Sequence, residues 1–276
     1  MRRGFRQVDV FTTNPYFGNP VAVVLDAVGL EDEQMQRFAA WTNLSETTFI
    51  LPPTQPRADY RVRIFTPVQE LPFAGHPTLG TCHAWLATEP PRPVNEPIVQ
   101  ESAAGLVEIR RLDGRLAFAG PPLIRSGAVE EGAVEHIAAV LGIDWRDIVD
   151  AEWVDNGPGW MAVLLASAEA VLALRPGIVD IDLGVVGPYP AGSPSAFEMR
   201  AFFPKDGATV EDPVSGSLGA SVTPWLLRTG RVGRTFVISQ GTILGREGRI
   251  HVSVDEGSTV WVGGDTITCV EGEVEI

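Results

Sequence analysis

The sequence is poor in cysteine and in long apolar runs. It has only two cysteines, Cys82 and Cys269, which excludes a disulfide framework and fits a reducing compartment. Its best apolar run, 21–30, is interrupted by Asp26 and is too short to cross a bilayer. The start, Met1–Arg6, lacks the apolar stretch of a signal peptide. We therefore expect a cytoplasmic protein with no membrane partner.

Positive charge is also scarce. The chain has 21 Lys and Arg residues against 35 Asp and Glu, for a net charge of −14. A nucleic-acid partner is not expected, because that would need clustered basic residues and there is no such cluster. The acidic balance does not determine the charge of a substrate, since local groups can attract an anion within a negative protein.

Several cofactor motifs are missing as well. The sequence has no Gly-x-Gly-x-x-Gly, no phosphate-loop Gly-Lys-Ser/Thr, no His-Glu-x-x-His and no Cys-x-x-Cys. It therefore contains no positive sign of a nucleotide, a metal or a flavin. We expect no metal and no cofactor.

What the chain does contain is an internal repeat. Arg63–Pro67 returns as Arg200–Pro204 at an offset of 137, and Ala22–Leu25 is echoed by Ala162–Leu165 at an offset of 140. Both offsets are close to half of the 276 residues. The repeat predicts two similarly folded halves.

Each half is predicted to have several short strands around one central apolar helix. We place the halves at 1–120 and 121–276, and the last strand of the chain can return to the first half. The central helices are predicted over Thr78–Ala87 and Ser217–Arg228, where Pro224 would kink or end the second.

The turn before the first central helix offers free amides and an imidazole. Pro77 suits the first helical turn, and Gly75 lets the backbone approach a ligand closely. Amides at a helix N-terminus beside His76 would suit an anion. The pattern fits a proline-rich loop with a surface histidine equally well.

The turn before the second helix holds Asp212 at the spot that corresponds to His76. The amides of Gly216 and Ser217 can bind an oxyanion or a carboxylate. Alternatively, Asp and Ser are there only as helix N-caps. Two unlike polar groups in corresponding turns favour an active site in the cleft between the halves.

A third motif surrounds Glu46, between a predicted helix and a predicted strand. Asn43 can close the helix in a left-handed conformation, and hydroxyl residues such as Ser45 flank the acid. Burial would raise the pKa of this carboxyl toward neutrality, where it can both take and return a proton. The alternative is a solvated glutamate at a strand end.

Together these motifs resemble the PhzF family, the phenazine-biosynthesis isomerases and their relatives. The resemblance is carried by Val8–Phe11, Gly18–Pro20, Asn43–Phe49, Arg63–Gly80 and Glu211–Ser217. It implies an α/β (α+β) fold like that of diaminopimelate epimerase. Such a fold has two pseudo-symmetric halves, each a curved, mostly antiparallel sheet or barrel around a central helix. Family members are typically homodimers without a cofactor.

The resemblance also implies an activity. It is that of an isomerase moving a proton within a small, cyclic amino- or hydroxy-carboxylate, as in dihydro-hydroxyanthranilate chemistry. Glu46 would be the acid/base, and His76 and Asp212 would hydrogen-bond the substrate. The residues expected to bind the rest of the substrate are Gly75, Gly216, Ser217 and Ser45.

Two other functions fit the same fold. One is an amino-acid racemase or epimerase with a thiol from each half, but the turns 74–76 and 214–216 contain no cysteine. Cys82 aligns with Ser221, so it lacks a partner thiol. The other is a small-molecule-binding relative without catalysis.

Overall fold

The computed structural model describes residues 1–276 and divides into two compact units. The first contains 1–119 and 263–276, and the second contains 120–262. The last strand of the chain belongs to the first unit. There it runs antiparallel to the first strand, from the Arg2–Glu275 pair to the Val10–Thr266 pair.

The first unit has two helices and nine strands. The helices are α1 (Asp32–Thr42) and α2 (Gly75–Leu86). The strands are β1 (Arg2–Val10), β2 (Asn19–Val24), β3 (Glu46–Leu51), β4 (Tyr60–Phe65), β5 (Glu70–Leu71), β6 (Ile98–Ser102), β7 (Gly105–Leu112), β8 (Arg115–Ala119) and β18 (Thr266–Glu275).

The second unit has three helices and nine strands. The helices are α3 (Glu131–Leu141), α4 (Ala168–Ala173) and α5 (Gly216–Arg228). The strands are β9 (Arg125–Ala128), β10 (Ile148–Asp155), β11 (Met161–Leu165), β12 (Leu183–Pro188), β13 (Phe197–Lys205), β14 (Ala208–Asp212), β15 (Thr235–Gln240), β16 (Gly248–Val254) and β17 (Val260–Gly264), of which β17 ends two residues beyond the unit's last residue.

The strand pairing is the same in both units. In the first, β2 and β3 are parallel, β4 is antiparallel to β3 and β5, β6 is parallel to β4, and β7 is antiparallel to β6. In the second, β11 to β16 pair in the same order and with the same directions. Most pairs are antiparallel, so the predicted fold of two like, mostly antiparallel halves is confirmed.

The central helices are longer than predicted. Helix α2 begins at Gly75, because Pro77 is tolerated in a first turn, where its missing N–H has no helical partner to lose. Helix α5 ends at Arg228 as predicted, so of the two alternatives for Pro224, a kink or an early stop, the early stop does not occur. Trp225 and Leu226, directly after the proline, are buried, and their packing outweighs the lost hydrogen bond.

One predicted strand is largely misplaced. The alternation in Val179–Leu183 favours a strand, but β12 begins only at Leu183. Val179 instead lies in a loop, where its side chain is buried and its backbone N–H donates to the Thr209 hydroxyl at 2.8 Å. A side-chain hydroxyl can satisfy such a backbone group in place of a strand–strand hydrogen bond, so apolar alternation alone did not identify a strand.

A repeated ion pair explains the strongest sequence echo. Arg63 on β4 binds Glu70 on β5 through two contacts of 2.7 Å, and Arg200 on β13 binds Glu211 on β14 through two of 2.8 Å. The planar guanidinium suits this bidentate geometry. Each pair anchors the strand that leads into a central helix.

The two pairs differ in burial, and we expect them to contribute differently to the free energy of unfolding. The Arg200 and Glu211 side chains are 4% and 13% exposed, whereas Glu70 is 36% exposed. Glu211→Gln should lower the free energy of unfolding by about 3 to 5 kcal/mol, because it leaves Arg200 buried without a counter-charge. Glu70→Gln should cost about 1 kcal/mol or less. Urea unfolding of both variants checks this, and equal losses would contradict it.

Candidate active site

Glu46 and His76 lie side by side in the first unit. Glu46 is the first residue of β3, and His76 is the second residue of α2. Glu46 Oε2 is 3.2 Å from His76 Nε2, and the side chains are 15% and 6% exposed. The two atoms are close without being aligned as a hydrogen bond. This carboxyl–imidazole pair is the centre of the candidate site.

The local fold explains how the two residues meet. Asn43 adopts the predicted left-handed conformation, with φ 55° and ψ 28°, and ends α1 just before β3. Strand β3 then runs parallel to β2, with Glu46 opposite Val21. Helix α2 can lie close to β2 because Gly80 has no side chain. A Cβ there would come within 2.3 Å of Val21 Cγ1.

The imidazole of His76 is neutral. Burial lowers the pKa of His76 from 6.5 to about 3, although a contact with the Pro20 backbone opposes the shift. At neutral pH the short distance to Glu46 is therefore not an ion pair. It joins a carboxyl group to an uncharged ring.

Asn19 and Pro20 fix the orientation of the His76 ring. The side-chain nitrogen of Asn19, assigned as Nδ2, lies 3.3 Å from His76 Nδ1, and Asn19 is fully buried. The ring also hydrogen-bonds the Pro20 backbone carbonyl, which can only accept. Its other nitrogen, Nε2, faces Glu46. Local pattern predicted no role for Asn19. The one sign that Asn19 belongs to the site was that Gly18–Pro20 is among the motifs that resemble a known family.

Asp9 and Gly18 hold the turn that presents Asn19. The Gly18 N–H donates to Asp9 Oδ2 at 3.0 Å. A Cβ on Gly18 would lie 2.2 Å from the Val10 carbonyl oxygen, so only glycine fits this close approach. Asp9 and Asn19 are therefore site-supporting residues that local pattern did not reveal.

The second unit contains the other candidate residues. Asp212 is the last residue of β14, and Gly216 and Ser217 are the first two of α5. Ser215, the residue at the N-cap position, makes no side-chain bond to the helix, and its Oγ donates to Asp212 Oδ2 at 2.5 Å. Its hydroxyl therefore serves Asp212 instead of capping the helix.

The correspondence between the turns differs from the sequence-based one. His76 and Ser217 are both the second residue of their central helices, whereas Asp212 precedes its helix. The hairpin before α5 is longer, since Phe65 pairs with Glu70 but Phe202 pairs with Glu211. The longer hairpin shifts the offset between the units by four residues.

The predicted site residues thus form two groups. In the first unit Gly75 is buried and directly precedes His76, while Ser45 is exposed and directly precedes Glu46. In the second unit Asp212 is close to the start of α5. No group of three or more His, Cys, Asp or Glu side chains is arranged to hold a metal ion. The protein also has no helix with the length and apolarity needed to span a membrane.

Comparison with known proteins identifies the family. The family model PhzC-PhzF, described as phenazine biosynthesis-like protein, matches residues 8–272. The chain belongs to the PhzC-PhzF family. The resemblance drawn from the motifs is therefore confirmed.

Curated relatives match over nearly their whole length. Antisense-enhancing sequence 1 of Schizosaccharomyces pombe is 38% identical over 98% of this chain and 97% of its own. Trans-2,3-dihydro-3-hydroxyanthranilate isomerase of Pseudomonas aeruginosa is 34% identical over 96% of both chains. Several relatives of this PhzC-PhzF protein are named isomerases, and isomerase is its activity class.

Solved structures agree on the fold. A PhzF family protein from Enterococcus faecalis has a TM-score of 0.81 at 26% identity, with both chains covered completely. A hydroxyproline epimerase from Agrobacterium vitis has a TM-score of 0.61 at 15% identity, covering 99% of this chain and 92% of its own. The second likeness concerns the fold alone and confirms that the fold is epimerase-like.

Proposed function

We propose that this PhzC-PhzF protein isomerises a small, cyclic amino- or hydroxy-carboxylate by moving a proton between two carbon atoms, with Glu46 as the acid/base. The observation that carries the proposal is the 3.2 Å contact between Glu46 Oε2 and the buried imidazole of His76. A carboxylate takes a proton from one carbon, and the resulting acid returns it to another. The double bonds shift and no other reactant is consumed.

The neutral state of His76 suits this role. A protonated imidazole would pair with the Glu46 carboxylate and make it a weaker base. Because burial lowers the pKa of His76 to about 3, the ring stays uncharged at neutral pH. The uncharged ring would then leave the Glu46 carboxylate basic and hydrogen-bond a polar group of the substrate.

We also propose that residues of the second unit bind the same substrate. Asp212 would hydrogen-bond a polar group, and the backbone amides of Gly216 and Ser217 would bind the carboxylate at the start of α5. Gly75 and Ser45 would complete the substrate-binding set. This part rests on the like turns before the two central helices and on the likeness to the family.

The substrate class can be tested directly. Trans-2,3-dihydro-3-hydroxyanthranilate, the substrate in the name of a 34% identical relative, is the first compound to assay. We expect conversion to an isomer of the same formula, with solvent deuterium appearing at a carbon atom that does not exchange without the enzyme when the reaction runs in D2O. Binding of this compound and related cyclic amino acids without any proton exchange would instead indicate a non-catalytic relative.

A two-thiol racemase is disfavoured by the settings of the cysteines. Cys82 is fully buried in α2, and burial raises its pKa to about 12. The pKa of Cys269 in β18 is raised as well, again by burial. A thiol that stays protonated is a poor base and a poor nucleophile.

We therefore expect Cys82→Ala to retain isomerase activity within about twofold. The check is the initial rate of isomerisation, together with α-proton exchange into a panel of amino acids in D2O. Exchange that is present in the wild type and lost in Cys82→Ala would revive the racemase.

Assembly and location are further proposals. We propose a homodimer, on the strength of the family likeness, and light scattering should then report twice the chain mass of 29.7 kDa. We propose a cytoplasmic location because both cysteines are free thiols. A monomer at micromolar concentration would contradict the first proposal.

A further inference from the structure

A buried glutamine hydrogen-bonds both ends of the turn that follows Asp212. Gln240 is the last residue of β15 and is fully buried. Its Oε1 accepts from the Ser215 N–H at 2.9 Å, and its Nε2 donates to the Asp212 carbonyl at 3.0 Å. Gly241, with φ 90°, brings the next peptide so near that a Cβ there would lie 2.6 Å from the Pro213 oxygen.

The same amide directs the Ser215 hydroxyl at the Asp212 carboxyl. Gln240 Nε2 also lies 3.1 Å from Ser215 Oγ, which must accept this bond because an amide nitrogen only donates. Ser215 therefore gives its own proton to Asp212 Oδ2, at 2.5 Å. The result is a one-way chain of donors from Gln240 through Ser215 to the carboxyl group.

The first unit has a matching glutamine with a different endpoint. Gln100, on β6, is fully buried, accepts from the Tyr60 hydroxyl at 2.9 Å and donates to Thr78 Oγ1 at 3.1 Å. Thr78 then donates to the Ala74 carbonyl at 2.9 Å. Holding the start of a central helix thus requires no carboxyl group. Only in the second unit does the series of hydrogen bonds end on a carboxyl group.

We propose that Gln240 and Ser215 are positioning residues that hold the Asp212 carboxyl ionised and in one orientation for the substrate. This inference rests on the proposed role of Asp212 in binding. A donor that hydrogen-bonds the ionised form of a carboxyl favours that form. A fixed orientation also reduces the ordering needed when the substrate binds.

Charged side chains on the neighbouring segments are the same in the wild type and in the variants proposed below. Glu211, beside Asp212 on β14, is bound to Arg200 of β13. Arg249 on β16 donates to the Ser239 hydroxyl and to the Gly248 carbonyl, and Arg246 lies beside Gly241. The variants below leave all four side chains in place, so a change in Asp212 would be due to the donor chain.

The first test needs no substrate. The Asp212 carboxyl is titrated by ¹³C NMR in the full protein, with Asp212→Asn used to assign its signal. Ser215→Ala and Gln240→Met should each move its titration midpoint to higher pH, while Ser215→Thr, which keeps the hydroxyl, should not. Thr223→Val is the matched control, because it removes a buried α5 hydroxyl that donates only to the Gly219 carbonyl.

The second test uses isomerisation of trans-2,3-dihydro-3-hydroxyanthranilate. Ser215→Ala and Gln240→Met should each lower kcat/KM by about 10- to 100-fold, and the double variant should be no worse than the poorer single one. Full activity of Asp212→Asn would refute the role of Asp212 in the proposed function. An unchanged Asp212 titration in Ser215→Ala would overturn the positioning proposal itself, even if Gln240→Met failed to fold.

Discussion

Replacing Glu46 with glutamine should lower kcat by about a thousandfold, within the range that a lost general acid/base costs. Glutamine keeps the shape of the side chain and an oxygen next to His76 Nε2, but it cannot take up a proton. The measurement is the initial rate of isomerisation of trans-2,3-dihydro-3-hydroxyanthranilate, with deuterium uptake from D2O followed by NMR. The dissociation constant of the substrate should change little.

Glu33→Gln is the matched control for this variant. Glu33 is an exposed acid in the first turn of α1, and the same change of charge there should leave kcat unaltered. Unfolding by urea should show that both variants retain the stability of the wild type to within about 1 kcal/mol. A Glu46→Gln enzyme with the wild-type rate would remove Glu46 from the mechanism.

Replacing His76 with glutamine should lower kcat/KM by about a hundredfold and should also change how stability depends on pH. The pKa of His76 is about 3 in the folded protein and 6.5 in the unfolded chain. Between these values the unfolded chain binds one proton more than the folded protein. The free energy of unfolding of the wild type therefore falls as the pH drops below about 6.5, by up to about 1.4 kcal/mol per pH unit.

The His76→Gln variant lacks this loss. Its deficit in stability relative to the wild type should be constant above about pH 6.5 and should shrink as the pH falls toward 5. Urea unfolding of the variant and the wild type at several pH values measures the difference. A deficit that stayed constant across this range would mean that His76 has the same pKa in the folded protein as in the unfolded chain.

The internal repeat could be recognised in the sequence because it reflects interactions between residues that are close along the chain. Arg63 and Arg200 stand at like positions in alternating strands, and each binds a glutamate on the following strand. The alternation over Tyr60–Phe65 predicts the strand that the structure has as β4, and Asn43 has the predicted left-handed conformation. Such features depend on neighbours within a few residues along the chain or across one hairpin.

Contacts between residues far apart in the chain could not be predicted from the sequence. Asn19 meets His76 across 57 positions, and Gln240 meets Ser215 across 25. Neither residue belongs to a pattern with a period, and a buried amide looks like any other polar residue in sequence. The longer hairpin of the second unit also moved Asp212 away from the position that matches His76.

The sequence by itself determined the family and the two like units, and it predicted the residues that we propose for proton transfer, since these follow from residue type and spacing. Only the tertiary structure decided the state of those residues. Burial makes His76 neutral, Asn19 contacts its Nδ1, and the Ser215 hydroxyl donates to Asp212 instead of capping its helix. Charge state and hydrogen-bond direction depend on which groups surround an atom in space, and that is decided when distant segments pack together.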